Sequence, residues 1–128
     1  MELDAIVRDA LTRHGIEHIE ESGAFHMIMC SGTRKWRTFI SVSGGDIICC
    51  AQFPWKAGGS ALAALNELNL TQSVGCFMVM DGYVVLRVGS VMVDAMEAGE
   101  LVISLLRRCG NEVCRCWSMV CSAAEVGK

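Results

Sequence analysis

Hydrophobic and polar positions along this chain follow two different periods, and these periods predict where helices and strands lie. Near the start, apolar residues recur every three or four positions over residues 2–14, which is the spacing of one face of a helix. Gly15 follows directly, and glycine often ends a helix in the left-handed conformation. We therefore predict a first helix over residues 2–14.

The next part of the chain carries the period-two alternation that is typical of strands. Runs over 25–30, 36–42 and 46–53 are interpreted as strands, and Gly44-Gly45 between the last two is a strong turn candidate. Short links between consecutive strands favour an antiparallel meander. The segment 16–21 can extend the first of these strands.

A second helix and a hairpin follow. Pro54 is expected to end the third strand, because proline gives no donor to a strand ladder. The pattern predicts the helix over residues 60–70. Asp81-Gly82 lies between two apolar runs, 74–80 and 83–88, and this combination predicts a hairpin with a tight two-residue turn.

The last helix is predicted to start at Asp94. Asp94 and Glu97 have the spacing of a capping box, and Val93 and Ala98 are placed to form the accompanying apolar contact. The element order is therefore α-β-β-β-α-β-β-α. We predict one α+β domain over residues 1–128, with a single antiparallel sheet of about five strands and helices packed against it.

Composition narrows the functional classes. The chain is 52 % hydrophobic, but no apolar run approaches the ~18–20 residues that span a bilayer. Glu2 and Asp4 near the start are unlike a signal peptide, so we expect a cytoplasmic protein with reduced thiols. The net charge of −3, without a basic stripe, argues against a nucleic-acid partner.

Four of the eight cysteines, Cys109, Cys114, Cys116 and Cys121, lie close together. Structural zinc sites usually use closely paired cysteines such as C-x-x-C, whereas this stretch is C-x4-C-x-C-x4-C and contains no C-x-x-C pair. On a helix, Cys114 and Cys116 point roughly 160° apart. We predict that no cysteine binds metal and that most are buried, although a helix break near Gly110 would favour the metal interpretation.

Catalytic patterns are weak. Glycine-rich segments at 42–46 and 56–60 do not match a phosphate-binding loop. Gly58-Gly59-Ser60 could donate amides to an anion, but an ordinary helix start is the stronger interpretation. No nucleophile lies beside a base, so we predict a protein that is not an enzyme and has no cofactor.

The predicted hairpin has two apolar faces. One face belongs in the core, and the other would be unusually apolar if it faced water. We predict a homodimer that buries this second face, while the alternative is that the first or last helix covers it within one chain. The candidate interface residues are Met78, Met80, Tyr83, Val85 and Arg87.

The stretch from 53 to 87 resembles the YbjN-type family, described as proposed bacterial sensory transduction regulators. The features that carry the resemblance are Pro54, Leu65-Asn66 with Leu68-Asn69, Gly75 with Phe77, and Val85-Leu86-Arg87. The resemblance implies a fold like that of type III secretion chaperones, which are small, acidic, dimeric α+β proteins that bind segments of other proteins. It implies no catalytic residues. The number of cysteines and Gly58-Gly59 depart from the family pattern.

Two functional hypotheses remain open. The first is a non-enzymatic regulatory or chaperone-like module that dimerises and binds a protein or peptide through apolar surface. The second is a thiol, metal or small-molecule sensor that uses its cysteines. Metal analysis and a thiol count would distinguish them.

Overall fold

The computed structural model describes residues 3–43, 45–71, 74–90 and 97–126. These residues form three helices and six strands in the predicted order, with one additional strand after the first helix. The elements are α1 (Leu3–Arg13), β1 (Ile19–Glu21), β2 (Ala24–Ser31), β3 (Arg34–Ser43), β4 (Asp46–Lys56), α2 (Ala61–Thr71), β5 (Cys76–Met80), β6 (Tyr83–Ser90) and α3 (Ala98–Val126).

One antiparallel sheet has the strand order β1-β2-β3-β4-β6-β5. The sheet confirms the predicted α+β class but has six strands instead of about five. The difference is β1, which pairs with β2 and does not extend it. Ser22 and Gly23 both have positive φ angles, 53° and 77°, so the chain turns back between the two strands.

The β5–β6 hairpin has the register that the sequence predicts, from Cys76 opposite Arg87 to Met80 opposite Tyr83. Asp81 and Gly82 form the turn with φ angles of 53° and 83°. Two positive φ angles match the type I′ turn, whose twist suits a hairpin. The tight turn therefore fixes which side chains share each face of the hairpin.

Strand β4 corrects a second prediction, because it does not end at Pro54. The strand continues to Lys56, with an irregular register between Gln52 and Lys56, and Pro54 is exposed. An irregularity of this kind lets a strand carry a residue that cannot donate to the ladder. The strand therefore continues past the proline.

The core lies between one face of the sheet and the helices. Helix α3 packs on β4 and β6, α1 packs on α3, and α2 contacts β5 and α3. The core side of the sheet is fully buried at Ile40, Ala51 and Leu86. At 29 residues, α3 is about 43 Å long and spans the sheet.

Helix α3 is continuous through Gly110, so the break considered from the sequence does not occur. A Cβ at this position would lie 3.5 Å from Cζ2 of Trp36, which is an ordinary contact distance, so the helix packs beside Trp36 of β3 here. The proposed cap residues Val93 and Asp94 lie outside the described residues, and α3 begins at Ala98 after a short turn at Glu97.

Candidate interaction surface

The face of the sheet opposite the helices, here called the outer face, is defined by the strand register. One row across it is Ile28, Arg37, Gln52, Val85 and Met78. The next row is His26, Phe39, Cys50, Arg87 and Cys76. The helices of the described chain contribute to the core on the other side of the sheet. The outer face therefore lacks a helical cover within the described residues. It carries both apolar and basic side chains.

The five predicted interface residues all lie on the outer face, but they differ in exposure. Met78, Met80 and Tyr83 are partly buried, and Arg87 is exposed. Val85 is 0 % exposed, because it lies in the middle of a row between Gln52 and Met78. Val85 is therefore buried within one chain, and it offers no accessible surface for an interface.

A groove of 1320 Å³ crosses the outer face. Its walls come from the segment after α1, from β1 to β3, and from Met80 and Asp81 at the hairpin tip. The floor includes Phe39, which is partly buried, and Ile28, which is 69 % exposed. Sequence reasoning missed this groove, because it depends on β1 and on the pairing of several strands.

The charges along the groove are unevenly distributed. Arg37 is exposed near the middle, and it has no ion pair with any residue in the described ranges. Glu17 and Glu21 line the β1 end, and Asp81 lines the hairpin end. The groove is therefore basic at its centre and acidic at both ends, although the chain as a whole has a net charge of −3.

Burial of the cysteines is less extensive than the sequence predicts. Four are buried, two are partly buried and two are exposed, whereas most were expected inside. The buried four are Cys49, Cys50, Cys109 and Cys116, and the exposed two are Cys30 and Cys76. Among the described residues, no group of three or more metal-binding side chains converges.

The buried thiols of Cys49 and Cys50 are in surroundings that suppress ionisation. The pKa of the Cys49 thiol is raised well above its usual value by its hydrogen bond with Cys109 and by burial. Burial raises the pKa of Cys50 to about 11, although Arg87 opposes the shift. Since the thiolate is the reactive form, these thiols are poor nucleophiles near neutral pH.

The thiol of Cys116, on α3, also has a raised pKa. Burial and the neighbouring Glu112 carboxylate raise its pKa to about 11. Its Sγ lies 3.3 Å from Oε1 of Glu112. A thiol that donates to a carboxylate is held in its protonated form, so Cys116 is also unsuited to redox chemistry near neutral pH.

Two residues of the 53–87 pattern hold the edge strand β5. The Asn69 Nδ2 amide donates to the Phe77 carbonyl at 3.0 Å, and the Phe77 N–H donates to Asn69 Oδ1 at 2.7 Å. Gly75 has a φ of 68°, and a Cβ there would lie 2.3 Å from the Arg87 carbonyl oxygen. These residues therefore have structural roles that the sequence pattern alone did not indicate.

Helices long and apolar enough to cross a membrane are not found in the described parts of the chain. No family model matches the sequence, and no curated protein matches it.

Solved structures that resemble this one include two described proteins. The first is YbjN from E. coli, a proposed transcription regulator, with a TM-score of 0.52, 18 % identity, and coverage of 82 % of this chain and 87 % of that chain. The second is the Yersinia pestis type III secretion chaperone SycH in complex with a fragment of YscM2, with a TM-score of 0.53, 13 % identity, and coverage of 89 % and 98 %. The chain therefore has the fold shared by YbjN and this type III secretion chaperone.

Proposed function

We propose that the protein is a non-enzymatic, cytoplasmic interaction module that dimerises through its outer face and binds a segment of another protein. The observation that carries the proposal is the partly exposed apolar surface around Met78, Met80 and Tyr83, which lies on the face of the sheet opposite the core that the described helices cover. An apolar patch of this kind usually marks an interaction site. The fold supports the same class, since one neighbour is a proposed regulator and the other is a chaperone solved with a protein fragment.

Without the buried Val85, the apolar patch consists of Met78, Met80 and Tyr83. Full burial of a large apolar side chain contributes about 1.5–3 kcal/mol, while association costs roughly 4–15 kcal/mol in lost freedom. Met78, Met80 and Tyr83 in each of two copies could therefore balance the lower part of that cost. Tyr83 and Arg87 are also residue types that are enriched in interfaces.

A double substitution tests the dimer. We expect Met78→Asp with Tyr83→Asp to convert a dimer into a folded monomer of 13.9 kDa, because both side chains reach the surface and an aspartate pair would have to be buried without partners. Light scattering measures the mass, and circular dichroism checks the fold.

The control is Met119→Asp, which places a new aspartate on an exposed part of α3, away from the patch. It should leave the mass unchanged. A double variant that remains dimeric would place the interface elsewhere, for example on the exposed Leu62 and Leu70 of α2. A monomeric wild-type protein would contradict the dimer altogether.

The thiol-sensor alternative rests on Cys30 and Cys76, which are the exposed cysteines. We expect these two to react fastest with a disulfide reagent in native protein at mildly alkaline pH, since Cys114 and Cys121 are partly buried and the other four cysteines are buried.

The variants Cys30→Ser and Cys76→Ser should each remove one fast-reacting thiol. Rapid reaction of a buried thiol, or a stoichiometric metal ion in protein purified without added metal, would favour a sensor over an interaction module.

A further inference from the structure

We propose that the groove on the outer face binds an extended polypeptide segment of a partner protein, with an acidic residue at the centre of the segment between apolar neighbours. This inference names the partner class for the proposed interaction module and therefore rests on that function. Its occupant is distinct from the second copy that would bury the hairpin patch, although the groove and the patch share Met80.

The size of the groove favours a polypeptide over a small molecule. Its volume of 1320 Å³ is larger than the roughly 300–1,000 Å³ of ordinary ligand pockets. Six strands with a spacing of about 4.8 Å extend over roughly 24 Å, and an extended chain of about seven residues covers that distance. A segment lying across the strands would therefore reach from β1 to the hairpin.

The groove floor provides contacts for alternate side chains of such a segment. Ile28 and Phe39 are apolar, and Phe39 also packs against the His26 ring with centroids 5.9 Å apart. Gln52 lies directly beside Arg37 in the strand register, and its amide can bond to the backbone of a bound segment. Apolar residues on both sides of a polar one match this floor.

The charge pattern specifies the acidic centre. Arg37 lies between Ile28 and Gln52 in one row, and it has no ion pair within the described part of the chain. A carboxylate above it could accept two parallel hydrogen bonds from the guanidinium. Glu17 and Glu21 at one end, with Asp81 at the other, would repel further acidic residues and favour neutral or basic ends.

A displayed library of random nine-residue peptides tests the inference. Selection on the wild-type protein should enrich peptides that have Asp or Glu near the centre and apolar residues beside it. The Arg37→Glu variant should lose these peptides and select Lys or Arg at the same position, since the charge at the groove centre is reversed. Arg37→Gln should lose the acidic preference without gaining a basic one.

Arg107→Glu is the matched control, because it makes the same charge change at an exposed position of α3. It should select the same peptides as the wild type. A synthetic peptide of the enriched sequence should bind Arg37→Glu at least about tenfold more weakly than the control by fluorescence anisotropy, as expected for the loss of a charged hydrogen-bonded pair.

Several results would overturn the proposal. These are no enrichment above the unselected library, an enriched sequence without an acidic residue, or an equal loss in Arg107→Glu. Light scattering on the same samples separates the two proposals: a dimer that enriches no peptide contradicts only the groove, and a monomer that enriches acidic peptides contradicts only the dimer. If Arg37→Glu itself dissociates the dimer, the groove is part of the contact between copies and the proposal is wrong.

Discussion

At the scale of single residues, Gly75 is constrained both by its backbone conformation and by the atoms around it. Its positive φ and the 2.3 Å approach to the Arg87 carbonyl oxygen both oppose a side chain. Gly82 also has a positive φ but no neighbour within 4 Å, and Gly89 has neither constraint. The same Gly→Ala substitution at the three positions therefore distinguishes the cost of the positive φ from the cost of the steric clash.

We expect Gly75→Ala to lower the free energy of unfolding by about 3 kcal/mol or more, since left-handed strain and a steric clash add. Gly82→Ala should cost about 1–2 kcal/mol from strain alone, and Gly89→Ala should remain within roughly 1 kcal/mol of the wild type. Urea denaturation measures all three. Equal losses at Gly75 and Gly82 would show that the contact with Arg87 is not tight.

The sequence predicted the residues of the hairpin well and those of the groove poorly. The hairpin residues follow from a local turn and a period-two pattern, so Met78, Met80 and Tyr83 were correctly placed on the second face. Burial of Val85 could not be foreseen, because Gln52 comes to lie beside it only through the pairing of β4 with β6. Arg37 lay in a recognised strand, but its position in a groove depends on elements distant in sequence.

At the scale of whole elements, local signals explain which predictions were correct. Helix α1 and the β5–β6 hairpin have clear periods and end signals, and the structure places them within a residue or two of the prediction. Strand β1 has three residues that are all exposed, two of them Glu, so no hydrophobic alternation marks it. Such short, charged edge strands limit unwanted pairing with other chains.

The opposite edge of the sheet, strand β5, is protected by α2. Asn69 bonds to both backbone groups of Phe77 in the manner of a neighbouring strand. We expect Asn69→Ala to lower the free energy of unfolding by about 1–3 kcal/mol, because it removes the partners of a part-buried N–H and C=O.

Asn66→Ala provides a matched control in the same helix, since Asn66 is exposed. It should be neutral or slightly stabilising, because alanine has the higher helix propensity. Equal losses in the two variants would mean that α2 is sensitive to any change and that the bonds from Asn69 to Phe77 contribute little.

At the scale of the whole molecule, the two faces of the sheet differ. Its core face is sealed by three helices, while its outer face carries apolar side chains and exposed arginines. A single chain can be stable in this form, because the core face alone supplies a continuous buried cluster. We propose that a second copy of the chain covers the outer face near the hairpin.

Methionine methyl NMR over a dilution series tests this claim most directly, because methionines lie both inside and outside the proposed contact. We predict that the methyl signals of Met78 and Met80 shift or broaden as the dimer dissociates on dilution. The signals of Met27, which is buried in the core, and of Met119, which is exposed on α3, should stay constant. Signals of Met78 and Met80 that do not change while the molar mass halves, or a mass of one chain at every concentration, would contradict the account.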